Sequence, residues 1–130
     1  MDNSQKKILV AEDEPSLKDM IVMVLKDEEY QVDSADNGQD ALELLGKNKY
    51  DLLATDLYMP TLNGVELIKK CHELAPETKI LLLCGGGKEL QATHGNPDVK
   101  FNGEQVKTDM FLKKPYDLKT LLSTVENLIV

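Results

Sequence analysis

The acidic run Glu12-Asp13-Glu14 and the single acid Asp56 each directly follow a short apolar run. A third run ends in Cys84-Gly85 and a fourth in Lys113-Lys114-Pro115. If the runs lie side by side, carboxylates, a thiol and an ammonium share one edge. Two unit charges about 4 Å apart repel by about 4 kcal/mol at an effective dielectric near 20, so clustered carboxylates need a cation or a shared proton. A few carboxylates, a main-chain carbonyl and several waters suit Mg²⁺, which dehydrates reluctantly, better than an all-protein Ca²⁺ cage. Carboxylate, divalent cation and lysine around one pocket clamp a phosphoryl group, with Asp56 available as nucleophile. The chemistry indicated is phosphoryl transfer to an aspartate.

The elements that must position these residues follow from hydrophobic periodicity. Ile8–Ala11, Leu52–Thr55, Lys79–Cys84 and Met110–Leu112 are continuous apolar runs, as expected of strands buried on both faces of a parallel sheet. Tyr30–Ala35 alternates, as an edge strand does. Between them lie helical stripes. Leu17, Met20, Ile21, Val24 and Leu25 share one face, then Ala41, Leu42 and Leu45, then Val65, Ile68, Cys71 and Ala75. The last runs from Leu118 to Ile129, opened by Asp117 as N-cap, and Asn63 with Glu66 makes a capping pair for the third. Strands alternating with helices predict a flavodoxin-like, doubly wound α/β domain over residues 1–130, with strand order 2-1-3-4-5. In that order the switch point lies between strands 1 and 3, where Glu12-Asp13 and Asp56 emerge.

The fourth crossover is atypical. Residues 85–103 hold five of the chain's eight glycines. Two turns of helix are expected over Lys88–His94, then a small hairpin around Asn102-Gly103. The connection as a whole is read as short-helical, irregular or mobile.

Composition narrows the class. The 130 residues carry 23 acids against 15 bases, all lysine, for a net charge of −8. Without arginine the chain lacks the usual bidentate reader of guanine and phosphate, which argues against direct nucleic-acid binding. No apolar run approaches the roughly 18 residues that span a bilayer, and the polar start predicts no secretory signal. A cytoplasmic protein away from membranes is expected. Cys71 and Cys84 form no CxxC or Cys/His cluster, so neither zinc nor a disulfide framework is indicated. Cys71 reads as core, His72 and His94 as structural or exposed, and Lys113 as solvent-facing. Gly85-Gly86-Gly87 reads as punctuation rather than a phosphate cradle, because no GK[ST] follows it.

Asp56-Leu57-Tyr58-Met59-Pro60, followed by Gly64, resembles the phospho-acceptor loop of bacterial two-component response-regulator receiver domains, of the single-domain chemotaxis-regulator type. Glu12-Asp13 and Lys114-Pro115 resemble that family's other two signatures, in the same chain order. The resemblance covers essentially the whole chain. It implies that Asp56 is phosphorylated by a sensor histidine kinase or a histidine phosphotransfer protein, and that the phosphoryl group switches binding to a downstream protein. It implies Mg²⁺ held directly by Asp13 and Asp56, by Glu12 through water, and by the main-chain carbonyl of Tyr58. Lys114 would pair with the phosphoryl group, ahead of a cis bond to Pro115. Phe111 falls at the switch aromatic. Cys84 departs from the pattern, standing where a Thr or Ser hydroxyl usually moves toward the phosphoryl oxygen.

Three other readings compete. An aspartyl-phosphate phosphatase of the haloacid-dehalogenase type would need an acid where Tyr58 stands. A flavin carrier would need a Ser/Thr/Gly loop in place of Glu12-Asp13-Glu14. A receiver-like module that binds partners without being phosphorylated fits Cys84 and the irregular crossover. In the receiver reading the chain is not an enzyme, catalysing only its own phosphorylation and dephosphorylation.

Overall fold

The computed structural model describes residues 3–130. Five parallel strands form the main sheet in the order β2-β1-β3-β4-β8. They are β1 (Lys7–Ala11), β2 (Gln31–Ala35), β3 (Leu52–Asp56), β4 (Lys79–Cys84) and β8 (Met110–Lys113). This is the expected flavodoxin-like order, with β8 as fifth strand of the sheet. Ile8 to Ala11, Leu52 to Ala54 and Ile80 to Cys84 are buried throughout, as strands covered on both faces must be.

Four helices provide the cover: α1 (Pro15–Asp27), α2 (Gly38–Lys47), α3 (Gly64–Leu74) and α4 (Leu118–Leu128). Their starts are fixed locally. The side chains of Glu14, Asn37, Asn63 and Asp117 each accept from a main-chain N–H in the first turn, a bond worth about 1 kcal/mol per cap. The Asn63 bond goes to the N–H of Glu66, as the capping pair requires. One face of the sheet packs Ile21 and Leu25 of α1 and Leu121 and Val125 of α4 against Ile8, Val10, Leu52 and Leu81. The opposite face packs Ala41 and Leu45 of α2 and Ile68 and Cys71 of α3 against Leu9, Leu53 and Leu82. Both cysteines are free and buried, Cys71 in the core as expected.

The fourth crossover corrects the sequence expectation. No helix forms over Lys88–His94. Instead β5 (Leu90–Ala92), β6 (Asp98–Phe101) and β7 (Glu104–Lys107) form an ordered antiparallel mini-sheet. The hairpin around Asn102-Gly103 is present, with φ of 51° and 80° at the two turn residues, the dihedral pair that Asn-Gly adopts cheaply. Val99 and Val106 turn inward and are buried beside Phe111, with Leu90, Ala92 and Phe101 packed around them. These apolar residues alternate along their strands, so the mini-sheet buries one face and needs no helix to cover the main sheet. Polar contacts seat it. His72 Nε2 bonds the carbonyl of Lys107 at 2.8 Å and Lys69 pairs with Glu104 at 3.3 Å. Along the edge of β8, the N–H of Gly95 donates to the carbonyl of Phe111 at 2.7 Å, and that of Lys113 to His94 Nδ1 at 2.9 Å. Both histidines therefore bond main chain, the structural role expected of them.

Candidate functional site

The switch point brings three carboxylates together. β1 and β3 are neighbours in register, with Ala11 opposite Thr55, so Glu12-Asp13 and Asp56 leave the sheet side by side. Gly64 lets α3 begin tight against this edge: a Cβ there would stand 2.2 Å from the carbonyl oxygen of Asp56. Carboxylate oxygens of Glu12, Asp13 and Asp56 all lie within 4.8 Å of one another. Glu12 and Asp56 are buried, only 1% and 7% exposed, while Asp13 is exposed.

Lys114 enters from the end of β8. Its Nζ donates to Glu12 Oε1 at 2.8 Å and stands 3.4 Å from Asp56 Oδ2. Two main-chain donors complete the set, Glu14 N to Glu12 Oε2 at 3.1 Å and Leu57 N to Asp56 Oδ1 at 2.7 Å. Lys113, its neighbour, is exposed, as the sequence predicted. The Lys114-Pro115 bond is cis, also as expected.

One cation against three acids leaves the pocket short of positive charge. Burial pushes the carboxyl of Glu12 above its usual range, against the lowering pull of Lys114, and the charge of Asp56 adds to the rise. Asp56 is raised for the same first reason, with Lys114 and the Leu57 N–H opposing and Asp13 adding. Burial works against the charge of Lys114, yet its bond to Glu12 and the charge of Asp56 leave its pKa raised. Three carboxylates packed into a partly desolvated pocket are the kind of oxygen donors a hard divalent cation takes. The residues present fit Mg²⁺.

Cys84 and Phe111 lie on the sheet face toward the mini-sheet. Cys84 Sγ accepts from Gly86 N at 3.3 Å and approaches the Gly86 carbonyl at 3.5 Å, so the thiol is engaged with its own loop. Burial raises its pKa. Phe111 is 1% exposed, already seated among Val99 and Val106. The Tyr58 hydroxyl donates to Glu89 Oε2 at 3.0 Å.

Sequence reasoning missed two participants. Glu89 carried no motif and becomes a partner only through the fold. The hydroxyl of Tyr116 is buried with no hydrogen-bond partner among the described residues. Its pKa is raised by burial first, then by the charges of Glu12 and Asp56. Its place directly after Lys114-Pro115 was the available signal.

A flavodoxin-like sheet with an acidic cluster and a lysine at its carboxyl edge defines a receiver-type signalling fold. The chain belongs to the response regulator receiver domain family, matching it over residues 8–126. It is 32% identical to the response regulator receiver protein CpdR of Brucella abortus (strain 2308), over 96% of this chain and 98% of that protein. It is 31% identical to the transcriptional regulatory protein DltR of Streptococcus agalactiae serotype III (strain NEM316), over 92% of this chain but 50% of that protein. Among solved structures it resembles the response regulator TrrA of Thermotoga maritima in complex with Mg²⁺-BeF. There the TM-score is 0.77 at 27% identity, over 95% of this chain and 99% of that one. Receiver domains are signalling modules of two-component systems, bind Mg²⁺ in an acidic pocket and interact with histidine kinases and downstream effectors. No helix among the described residues is long and apolar enough to cross a membrane.

Proposed function

We propose that this chain accepts a phosphoryl group on Asp56 from a phosphohistidine, on a sensor histidine kinase or a histidine phosphotransfer protein, and switches a protein-binding surface in response. The observation that carries the reading is the buried Asp56 carboxylate at a strand end, grouped with Glu12 and Asp13 and faced by the Lys114 ammonium. Asp56 Oδ1 is held by Leu57 N, which leaves Oδ2, on the lysine side, to attack phosphorus. The new O–P bond forms as the P–N bond to histidine breaks, the imidazole nitrogen keeping the electron pair; the product is an aspartyl phosphate.

Asp13, Asp56 and the main-chain carbonyl of Tyr58, with Glu12 through water, would hold Mg²⁺, which when bound would supply charge offsetting the phosphoryl oxygens. Lys114 adds its ammonium to the same oxygens, exchanging part of its bond with Glu12. Leu57 N keeps the carboxylate oriented. Catalysis is positioning and electrostatics, with water later hydrolysing the acyl phosphate.

Intact mass after incubation with acetyl phosphate and Mg²⁺ tests this. One added phosphoryl group in the native protein, absent from Asp56→Asn, is expected. An unmodified native protein would leave a module that binds partners without phosphorylation.

A further inference from the structure

Tyr58 lies two residues beyond Asp56, and its side chain is bound to the fourth crossover. The hydroxyl donates to Glu89 at 3.0 Å, and the ring meets Phe101 edge-on, with centroids 6.5 Å apart and planes at 62°. Both partners belong to the mini-sheet. Phe101 is in β6, and Glu89 directly precedes β5, its carbonyl accepting from Asn102 N at 2.8 Å. Gly87 supplies an independent observation. A Cβ there would stand 2.2 Å from the Tyr58 hydroxyl, and the φ of +145° is one that L side chains rarely adopt. The dihedral favours glycine where the loop passes the phenol, and any Cβ there would push the phenol end aside. A tyrosine 42% exposed needs no such accommodation to fill a core; the loop is shaped around its polar end.

The route expected from the family pattern is poorly furnished here. Cys84 is a weak donor already engaged with Gly86, and Phe111 is already buried. Tyr58 is a strong donor on the loop that carries Asp56, joined to the element that replaces the usual helix.

We propose that Tyr58 and Glu89 form a latch holding the mini-sheet against the pocket mouth, and that negative charge gained at Asp56 releases it. The release step rests on the phospho-acceptor reading above. A phosphoryl group brings a charge of about −1.5 to −2 and three strong acceptor oxygens. The charge repels the Glu89 carboxylate, and the oxygens compete for the phenol proton.

Amide hydrogen exchange over residues 87–102, with and without Mg²⁺-beryllofluoride, tests the latch, while fluorine NMR reports whether the mimic is bound. In the native protein the mimic should raise exchange at least threefold. Glu89→Ala and Tyr58→Phe should show that raised exchange without the mimic and gain little from it, Glu89→Ala keeping native Mg²⁺ affinity. Glu89→Gln keeps an acceptor but loses the charge; it should stay protected and respond weakly. Native-like exchange in both mimic-free Glu89→Ala and Tyr58→Phe would overturn the latch. So would bound mimic with no change in native exchange. No bound fluorine signal in the native protein would instead overturn the phospho-acceptor reading, and the release step with it.

Discussion

Glu12 holds Lys114 across 102 positions of sequence, accepting from Nζ at 2.8 Å while Asp56 stands farther from the same ammonium, at 3.4 Å. The resting lysine is thus engaged chiefly by the acid on the first strand. Glu12 is 1% exposed, so this bond compensates a carboxylate that water cannot reach. The relationship ranks the acids. Both Glu12 oxygens are occupied, by Lys114 and Glu14 N, whereas Asp13 is exposed at the mouth.

Asp13→Asn should therefore weaken Mg²⁺ binding about tenfold or more, and Glu12→Gln by less, in a calorimetric or fluorescence titration. Equal loss from the two, or none, would reject the ranking. Because Mg²⁺ relieves repulsion in the folded state only, it should also raise Tm as RT ln(1 + [L]/Kd). A Tm indifferent to millimolar Mg²⁺ would count against the site.

Replacing Lys114 strands a buried carboxylate; replacing Lys113 strands nothing. Lys114→Ala should cost about 2 kcal/mol in denaturant unfolding and slow phosphorylation by acetyl phosphate. Lys113→Ala, at an exposed position, should stay within about 0.5 kcal/mol and phosphorylate normally. Indistinguishable variants would mean that the wrong lysine has been assigned to the pocket.

Glu12 and Asp56 both have folded-state pKa values above their ordinary 4.5 and 3.8, with burial the first cause. A raised folded pKa means the native state binds the proton more tightly, so these groups favour folding most below the ordinary values. That contribution is lost as pH rises through the folded values. Without Mg²⁺, acidification from neutral pH toward about 5 should thus raise the stability of the native protein relative to Asp56→Asn. At pH 7 that variant should melt a few degrees above the native protein, by about 1 kcal/mol, because the amide removes a disfavoured charge. A native Tm that falls in parallel with the variant's would show that the cluster is not strained.

The main sheet was legible because burial on both faces writes a continuous apolar run, and because Glu12, Asp56 and Lys114 fall where those runs stop. The mini-sheet was not. Leu90–Ala92 is three residues long, too short to display a period, and it becomes a strand only by pairing with Val99–Phe101 beyond a glycine and a proline. The hairpin turn was readable because Asn102-Gly103 encodes its own dihedrals; its partner strand depends on a nonlocal contact. The Tyr58–Glu89 bond was hidden for the same reason, its two ends being 31 residues apart with no shared motif.

Cys84 limits how far the response travels. Its sulfur is spent on the Gly86 main chain, and sulfur is a weak donor, so a phosphoryl oxygen gains little from it. Phosphorylation itself should not need the thiol, since in the proposed function Asp56, Lys114 and bound Mg²⁺ would carry the stabilisation. What the thiol withholds is a pull on the end of β4. Phe111 sits one strand away, with Leu82 as its register partner, packed under Val99 and Val106. A hydroxyl at position 84, drawn toward the phosphoryl oxygens, would shift β4 and β8 together and carry the aromatic with them. Cys84→Thr should therefore extend the beryllofluoride response. In the native protein, amide chemical-shift changes should concentrate over 85–102; in the variant they should grow there and reach Met110–Lys113. If native β8 already responds as fully as the variant's, the hydroxyl is dispensable, and main-chain N–H groups after Cys84 supply the bond instead.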